Sequence, residues 1–346
     1  MNETNLPPSS EPSSSGPGAP SSSAPPQEPL ERAVTKIFMG PNGIRAGWRL
    51  TIFVIIVVAL FAGVTLLALA LNHGKMPQPH PGELTPRFAI GNEVVPFLIV
   101  LFAAFIMSKM EGRRIADYGL PLRRAFCGQF WQGLVIGFAS ISVLLVALHL
   151  FGVFQFGTIG LHGAMLWEYA FLWAFVFLFV GFFEEFFFRG YPLFTLTTGM
   201  TFWPAAVFLS ALFGLVHHSN PGESWVGSLD AGAVGLLFCL MVRRTGDLWM
   251  AIGFHAAWDW GETYFYGVPD SGLVARGHLF NPRSSGPAWL TGGSVGPEGS
   301  WLCLALLVIL WIIFALWLRE TKYPNPAAIP NPRRVRPSPE TLSLNL

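Results

Sequence analysis

The sequence predicts an all-α fold, a polytopic membrane helical bundle with about eight transmembrane helices. Of the 346 residues, 52% are hydrophobic and only 12% are charged, which is about half the charged fraction of a typical soluble domain. Apolar runs long enough for helices that cross a bilayer recur along the chain. These runs lack the ten-residue alternation that is typical of membrane β-barrels.

Eight apolar runs are the candidate membrane spans. The fifth and seventh are shorter than the roughly 20 residues that a spanning helix needs. The spans are expected over residues 50–71, 88–108, 129–152, 165–188, 202–217, 227–242, 248–262 and 301–318. A bundle of this kind is embedded in the lipid bilayer, which is therefore an expected partner.

Both ends of the chain differ from its apolar middle. Residues 1–45 begin with a long stretch rich in Pro and Ser, which is too polar to form a core, so a disordered cytoplasmic tail is expected. Residues 46–320 are expected to form the transmembrane domain. Residues 321–346 form a second polar tail that is rich in Pro.

The distribution of basic residues predicts the orientation. If both termini are cytoplasmic, every Lys and Arg falls on the inner side except Lys75, Arg87, Arg276 and Arg283. This asymmetry follows the positive-inside rule and favours an even number of spans. A multi-pass protein of the cell membrane is therefore expected. The net charge of +1 and the lack of a basic patch argue against nucleic acid as a partner.

The fourth span carries two acids and one base. Charged side chains in a membrane helix are costly, and they are usually functional. Glu185 and Arg189 are four residues apart and share a helix face, so they are expected to form a structural ion pair. Glu184 points about 100° away from Glu185 and is expected to face a cavity. The reverse assignment remains open.

Two later spans carry histidines at matching depths. His217 follows Phe213 by four residues, which would place the Phe213 ring beside the imidazole. Glu184 and His217 lie about equally far from a turn expected at residues 197–201, roughly 20 Å along each helix. His255 and Asp259 lie roughly 12–18 Å beyond the next turn. These polar groups are therefore expected to converge.

Convergent acids and imidazoles are typical of a hydrolytic site. Glu184 is a candidate for the base that activates water. His217 would hold the water or shuttle its proton, and His255 would donate to the oxyanion. Asp259 would fix the tautomer of His255 or act as a further acid. In a metal-dependent alternative, zinc is bound by Glu184, His217 and His255 with one position open.

Three motifs in this order resemble the CPBP family of intramembrane proteases, which includes the type II CAAX prenyl proteases and the bacteriocin-processing Abi proteins. The motifs are Glu184-Glu185-x-x-x-Arg189, Phe213-x-x-x-His217 and His255-x-x-x-Asp259. The resemblance covers residues 110–262, the protease-like core. It implies an eight-span helical fold and the cleavage of a peptide bond within or beside the membrane.

The resemblance also implies roles for individual residues. Glu184 and His217 would activate water, while His255 and position 259 would form the oxyanion hole. The family is described both as metalloproteases and as glutamate-dependent enzymes without metal. The third motif takes Asn or Asp at its last position. This chain has Asp259, and an ionised carboxylate cannot donate a hydrogen bond to an oxyanion.

The sequence thus predicts an intramembrane endopeptidase whose substrate is a membrane-associated peptide or protein. One alternative is a non-enzymatic membrane scaffold or a binding protein of the bacteriocin-immunity type. Another is a proton-coupled transporter, in which buried acids and histidines act as relays. Repeat symmetry, which many transporters show, is not evident in the sequence.

The other polar and aromatic residues of the spans are given structural interpretations. Asp230 is expected near a helix N-terminus, where the dipole favours a negative charge. Three residues are expected to be solvated near span ends: Glu93, His149 and Glu168. Three tryptophans are expected in an interfacial belt, with a wall that lines the substrate site as the alternative: Trp249, Trp258 and Trp260. Three cysteines are expected to be small core residues: Cys127, Cys239 and Cys303.

Overall fold

The computed structural model describes residues 35–40, 43–75, 85–220 and 222–323. The chain divides into two units, Met1–Gly43 and Ile44–Leu346. In the first unit the described residues include the short strand β1 (Met39–Gly40), and strand β2 (Gly43–Ile44) crosses the boundary. The tails expected at residues 1–45 and 321–346 lie largely outside the described residues.

The second unit is a helical bundle. Its first five helices are α1 (Ala46–Leu71), α2 (Pro86–Glu111), α3 (Gly128–Leu150), α4 (Ala164–Glu185) and α5 (Tyr191–Met200). The later helices are α6 (Phe202–His217), α7 (Trp225–Thr245), α8 (Trp249–Trp260), α9 (Ala288–Thr291) and α10 (Trp301–Trp317). The described part of this unit also contains two π-helical turns, Phe186–Gly190 between α4 and α5 and Gly261–Tyr266 after α8. Its short 3₁₀ turns, within the same described residues, are Ile115–Tyr118, Leu122–Arg124 and Pro297–Gly299.

The expected polytopic helical bundle is confirmed. Among the described residues, five helical segments are long and apolar enough to cross a membrane: α1, α2, α3, the continuous segment Ala164–Met200 and α7. Helices α6 and α10 are apolar but shorter, with 16 and 17 residues. Each of the eight apolar runs found in the sequence coincides with a helix. The chain is therefore a multi-pass membrane protein.

The fourth span extends further than expected. The sequence predicts its end near residue 188, but helical structure continues through the π-helical turn to Met200, giving 37 residues in all. The hydroxyl groups of Thr197 and Thr198 donate to carbonyl oxygens of the preceding turn, which satisfies these hydroxyls inside the helix. The turn expected at residues 197–201 is reduced to Thr201, which has a positive φ of 69°.

The segment between α8 and α10 is rich in Gly and Pro, yet it contains regular structure. Strand β4 (Phe280–Ser284) pairs antiparallel with strand β3 (Phe154–Ile159), and their register shifts between Gln155 and Thr158. Neither strand was predicted from the sequence. The two strands hold this segment against the end of α3.

Helices α3 and α8 pack with their backbones in contact. A side chain added at Gly133 would collide with the carbonyl oxygen of Met250, and one added at Gly137 would collide with that of Phe254. Small residues allow such close approach between membrane helices. This contact fixes the position of α8 at the level of His255, the residue after Phe254.

A hydrogen-bonded network at one end of the bundle joins α1, α2 and α5. The carboxylate of Glu111 accepts from the Tyr191 hydroxyl at 2.6 Å, the Tyr118 hydroxyl at 3.1 Å and Arg49 at 3.0 Å. Burial, together with the negative charge of Glu111, raises the pKa of Tyr118, so this hydroxyl remains a donor. The network fixes the far end of the helical segment that carries the candidate site.

The three cysteines fall into two classes. Cys239 and Cys303 are buried, as expected, whereas Cys127 is exposed. Cys127 precedes the first residue of α3, so its side chain lies outside the helical packing. The interpretation of Cys127 as a core residue is wrong.

Replacing Gly137 by Ala is expected to destabilise the protein by about 1–3 kcal/mol, because the added methyl group forces α3 and α8 apart. The measurement is the thermal unfolding midpoint of the purified protein in detergent. Gly91→Ala is the matched control, since Gly91 lies within α2 with no neighbouring atom within 4 Å. There alanine is expected to be neutral or stabilising through its helix propensity. Equal midpoints for the two variants would contradict the close contact.

Candidate active site

A cavity of about 380 Å³ lies within the bundle. Its walls come from α2, α4, α6, α7, α8 and the segment before α10. All four residues expected to be catalytic line this cavity: Glu184, His217, His255 and Asp259. The structure therefore brings the three sequence motifs together, while the catalytic role of each residue remains a prediction.

Glu184 lies in the last turn of α4 and faces the cavity. Its side chain is 21% exposed, and its Oε2 atom is 3.6 Å from Nε2 of His255. That oxygen is buried and has no hydrogen-bond partner among the described residues. A buried carboxylate oxygen without a partner is available to a water molecule or a substrate.

Glu185 is fully buried and contacts two positively charged or polar groups. Its Oε1 accepts a hydrogen bond from Nη1 of Arg189 at 3.0 Å and lies 3.0 Å from Nδ1 of His255. Because a carboxylate that is paired with a guanidinium can only accept, Nδ1 must carry the proton. Glu185 therefore fixes the orientation of His255, a role that the sequence analysis considered for Asp259.

Arg189 is buried among aromatic rings in the π-helical turn. Its guanidinium lies 4.2 Å from the ring centroid of Phe213 and 5.7 Å from that of Phe188. Aromatic faces attract a cation, and the attraction is stronger where water is absent. The expected pair with Glu185 is present, and the surrounding rings seal it from the bilayer.

His217 is held by its own helix. Its Nδ1 lies 2.9 Å from the carbonyl oxygen of Phe213, and the Phe213 ring packs beside the imidazole with centroids 4.2 Å apart. A carbonyl can only accept, so Nδ1 is the donor. In the neutral imidazole, Nε2 is then free to accept a hydrogen bond from a water molecule in the cavity.

Asp259 lies one helical turn beyond His255. Its Oδ2 is 3.6 Å from Nε2 of His255, the same nitrogen that faces Glu184. The side chain is buried, with 8% exposed. The two imidazole nitrogens of His255 therefore face different acids: Nδ1 faces Glu185, and Nε2 faces Glu184 and Asp259.

The cavity is strongly acidic. Besides Glu184 and Asp259, it is lined by Glu93, Glu223, Asp230, Asp270 and Glu298. No Lys or Arg is found among the described residues that line it. The wall around these acids is largely apolar, which makes each unpaired negative charge costly.

Two of these acids were assigned differently from the sequence. Glu93 was expected to be solvated, but it faces the cavity from α2. Asp230 was expected to be a favourable charge near a helix N-terminus, but it is 3% exposed and neither carboxylate oxygen has a partner among the described residues. Both assignments are wrong because the rotation of a helix about its own axis decides whether such a residue faces solvent or the interior.

The tryptophans also do not form the expected interfacial belt. Trp249 and Trp258 are buried rather than interfacial. The indole Nε1 of Trp258, which lines the cavity, donates to Glu298 at 2.8 Å and to Glu262 at 3.1 Å. Trp260 donates to the carbonyl oxygen of Ala170.

The sequence analysis did not single out three clustered acids after Asp259. Each of Glu262, Asp270 and Glu298 offers an oxygen that lies within 4.8 Å of the other two. Burial and the nearby charge of Glu298 raise the pKa of Asp270 to about 7, and burial raises the pKa of Glu298. Glu262 follows His255 by seven residues, a helical repeat that could have revealed it. Asp270 and Glu298 lie outside any periodic segment, so no sequence signal brings them together.

These observations define a multi-pass membrane protein with a buried site of acids and histidines. Residues 166–261 match the family model for the Type II CAAX prenyl endopeptidase Rce1-like proteins. The matched segment contains Glu184, His217, His255 and Asp259, and it lies within the residues that resemble the CPBP proteases, so that resemblance is confirmed. No match was found among curated proteins or solved structures.

Glu185→Gln is expected to destabilise the protein by about 3–5 kcal/mol, because it leaves the buried guanidinium of Arg189 without a counter-charge. The thermal unfolding midpoint in detergent measures this loss. Glu168→Gln is the control, since the pair between Glu168 and Arg87 is 4.0 Å long and exposed. An exposed pair contributes little, so that variant should unfold like the original protein. Similar midpoints for both variants would show that Glu185 does not stabilise the site.

Proposed function

We propose that this protein is an intramembrane endopeptidase that hydrolyses a peptide bond in a membrane-associated peptide or protein. The carrying observation is the 3.6 Å approach of Glu184 Oε2 to His255 Nε2 inside a cavity that His217 also lines. Hydrolysis needs a base, a water molecule and a donor for the oxyanion within reach of one carbonyl group. The match of residues 166–261 to a protease family supports the same conclusion.

In the first step, Glu184 and His217 act on one water molecule. Nε2 of His217 accepts a hydrogen bond from this water and holds it near the Glu184 carboxylate. Glu184 removes one proton while the water oxygen forms a bond to the carbonyl carbon of the substrate. The electron pair of the C=O double bond moves to oxygen and produces a tetrahedral oxyanion.

His255 stabilises this oxyanion through Nε2. Because Nδ1 already donates to Glu185, a donor at Nε2 requires the doubly protonated imidazolium. Such an imidazolium is flanked by Glu184, Glu185 and Asp259. In this mechanism Asp259 stabilises the protonated form of His255 and does not itself contact the oxyanion.

In the last step the tetrahedral intermediate collapses. Glu184 transfers its proton to the leaving nitrogen, and the C–N bond breaks. The products are a new carboxylic acid and a new amine, and Glu184 is again ionised. The reaction consumes one water molecule and needs no other reactant.

Zinc remains a proposal that the types of donor fit, whereas their spacing does not: among the described residues, Glu262, Asp270 and Glu298 are the group whose ligand atoms all lie within 4.8 Å of one another. His217 and His255 both use Nδ1 for a bond to an oxygen and keep Nε2 for the cavity. Histidines that bind metal usually make such a second bond. Together with Glu184 they would form a site of two imidazoles and one carboxylate. A bound zinc ion would supply a more acidic water molecule near neutral pH.

The proposed location is the cell membrane with both termini in the cytoplasm. This orientation rests on the asymmetry of Lys and Arg along the chain. The name of the matched family points to prenylated C-terminal peptides as the first substrates to test. The apolar cavity wall, which includes Trp173 and Phe177, is compatible with a lipid-modified peptide.

Glu184→Gln is expected to lower turnover by about 10²–10⁴-fold, because the amide cannot accept the proton of water. His217→Ala is expected to have a similar effect. The assay uses purified protein in vesicles with a farnesylated peptide that ends in a CAAX sequence, and mass spectrometry detects the product. The same peptide without the farnesyl group tests whether the prenyl group is required.

Glu168→Gln is the control for this assay, because Glu168 is exposed and does not line the cavity. It should cleave the peptide as fast as the original protein. Unchanged turnover in purified, folded Glu184→Gln protein would reject the mechanism. Cleavage of neither peptide by the original protein would reject a CAAX-type substrate.

A further inference from the structure

Three carboxylates in and after the π-helical turn that follows α8 form a compact cluster. Glu262 lies in that turn, Asp270 lies in the next bend, and Glu298 lies in the 3₁₀ turn before α10. One oxygen of each lies within 4.8 Å of the other two. Segments far apart in sequence therefore place three negative groups at one point.

The hydrogen-bond donors around this cluster are few. Nε1 of Trp258 donates to Oε1 of Glu298 and Oε2 of Glu262. The hydroxyl of Thr263 donates to Oδ2 of Asp270 at 2.9 Å. The hydroxyl of Ser271 lies 3.4 Å from Oε2 of Glu298, which is a weak contact. Among the described residues, one indole and two hydroxyl groups orient the three carboxyl groups, and none of these donors carries a positive charge.

A separate observation points to a missing positive partner. Glu262 is 0% exposed, and its Oε1 has no hydrogen-bond partner among the described residues. A Cβ built at Gly296 would lie 3.5 Å from this oxygen, so Oε1 faces the turn that carries Glu298. A buried carboxylate oxygen without a partner is costly unless the group takes up a proton or a ligand binds it.

Asp230 is a further buried acid without a partner among the described residues, and it lies on another helix. It lies on α7, lines the same cavity as Asp270 and Glu298, and is 3% exposed. Neither of its carboxylate oxygens has a partner in the described part of the chain. The acids on this side of the cavity thus outnumber the donors available to them.

We propose that Glu262, Asp270 and Glu298 bind a divalent cation, for which calcium is the best fit. A cation between three oxygens within 4.8 Å of one another lies no more than about 2.8 Å from each, close to the 2.3–2.6 Å of calcium–oxygen bonds. A site of oxygen ligands alone selects hard cations such as calcium or magnesium over zinc. Magnesium holds fewer protein carboxylates and more water, so three carboxylates favour calcium.

The cation would join three parts of the structure. It connects the end of the helix that carries His255 and Asp259, the bend at Asp270 and the turn before α10. Asp270 and Glu298 also line the cavity, so the cation fixes part of the cavity wall. This site consists of other residues than the zinc site proposed at Glu184, His217 and His255.

The test uses terbium as a luminescent substitute for calcium in the purified full-length protein, after treatment with EDTA. Trp258 contacts two of the proposed ligands, so terbium bound there should emit when tryptophan is excited. Calcium should displace terbium at concentrations of about 10⁻⁴–10⁻³ M, the range of calcium sites in extracellular modules. Magnesium should be a weaker competitor.

Glu298→Gln should weaken the binding of terbium by at least tenfold, while Glu168→Gln and Glu184→Gln should bind it like the original protein. Calcium should raise the unfolding midpoint of the original protein by several degrees and leave that of Glu298→Gln unchanged. If Glu298→Gln does not fold, Asp270→Asn replaces it, because an amide oxygen can still accept from Thr263. Equal terbium binding by the original protein and these variants, or no response to terbium and calcium, would overturn the proposal.

Discussion

The carboxylate of Glu185 is the interaction on which the candidate site depends. It accepts from Arg189 in the π-helical turn and from His255 on α8, each at 3.0 Å. Glu185 and Arg189 are fully buried, and an unpaired charge in such a place would cost several kcal/mol. Because the same oxygen serves both partners, the position of His255 depends on the ion pair of the neighbouring helical segment.

This arrangement separates the roles of two adjacent acids. Glu185 is fully buried and has its charge balanced by Arg189, whereas Glu184 is 21% exposed and faces the cavity; each keeps one carboxylate oxygen without a partner among the described residues. Acids in different environments can perform different chemistry even when they are neighbours in sequence. The backbone contact between α3 and α8 gives the rigid support that such a division requires, since it sets the depth of His255.

Much of the central site could be predicted from the sequence, because helical geometry determines which side chains share a face. The spacing of four residues predicted the pair of Glu185 with Arg189 and the contact of Phe213 with His217, and both are present. Counting helical rise from the turns placed Glu184 and the two histidines at similar depths. These arguments work within one helix or one hairpin, where the covalent chain fixes the geometry.

The rest of the site required information that helical spacing does not contain. Glu93 and Asp230 face the cavity because of the rotation of α2 and α7, which packing between helices decides. The cluster of Glu262, Asp270 and Glu298 depends on the path of the chain between α8 and α10. That path is set by turns and by the pairing of β3 with β4, and no repeating pattern in the sequence encodes it.

The acidity of the cavity links the proposed catalysis to the proposed cation site. A base must be ionised to accept a proton, and six other carboxylates line the same cavity as Glu184. Repulsion among so many negative groups in an apolar wall opposes the ionisation of all of them. In the proposed mechanism, the imidazolium of His255 would offset part of this charge beside Glu184. The proposed divalent cation at Glu262, Asp270 and Glu298 would offset the charge of that cluster, and a lower total negative charge in the cavity would favour the ionised Glu184 that a base requires.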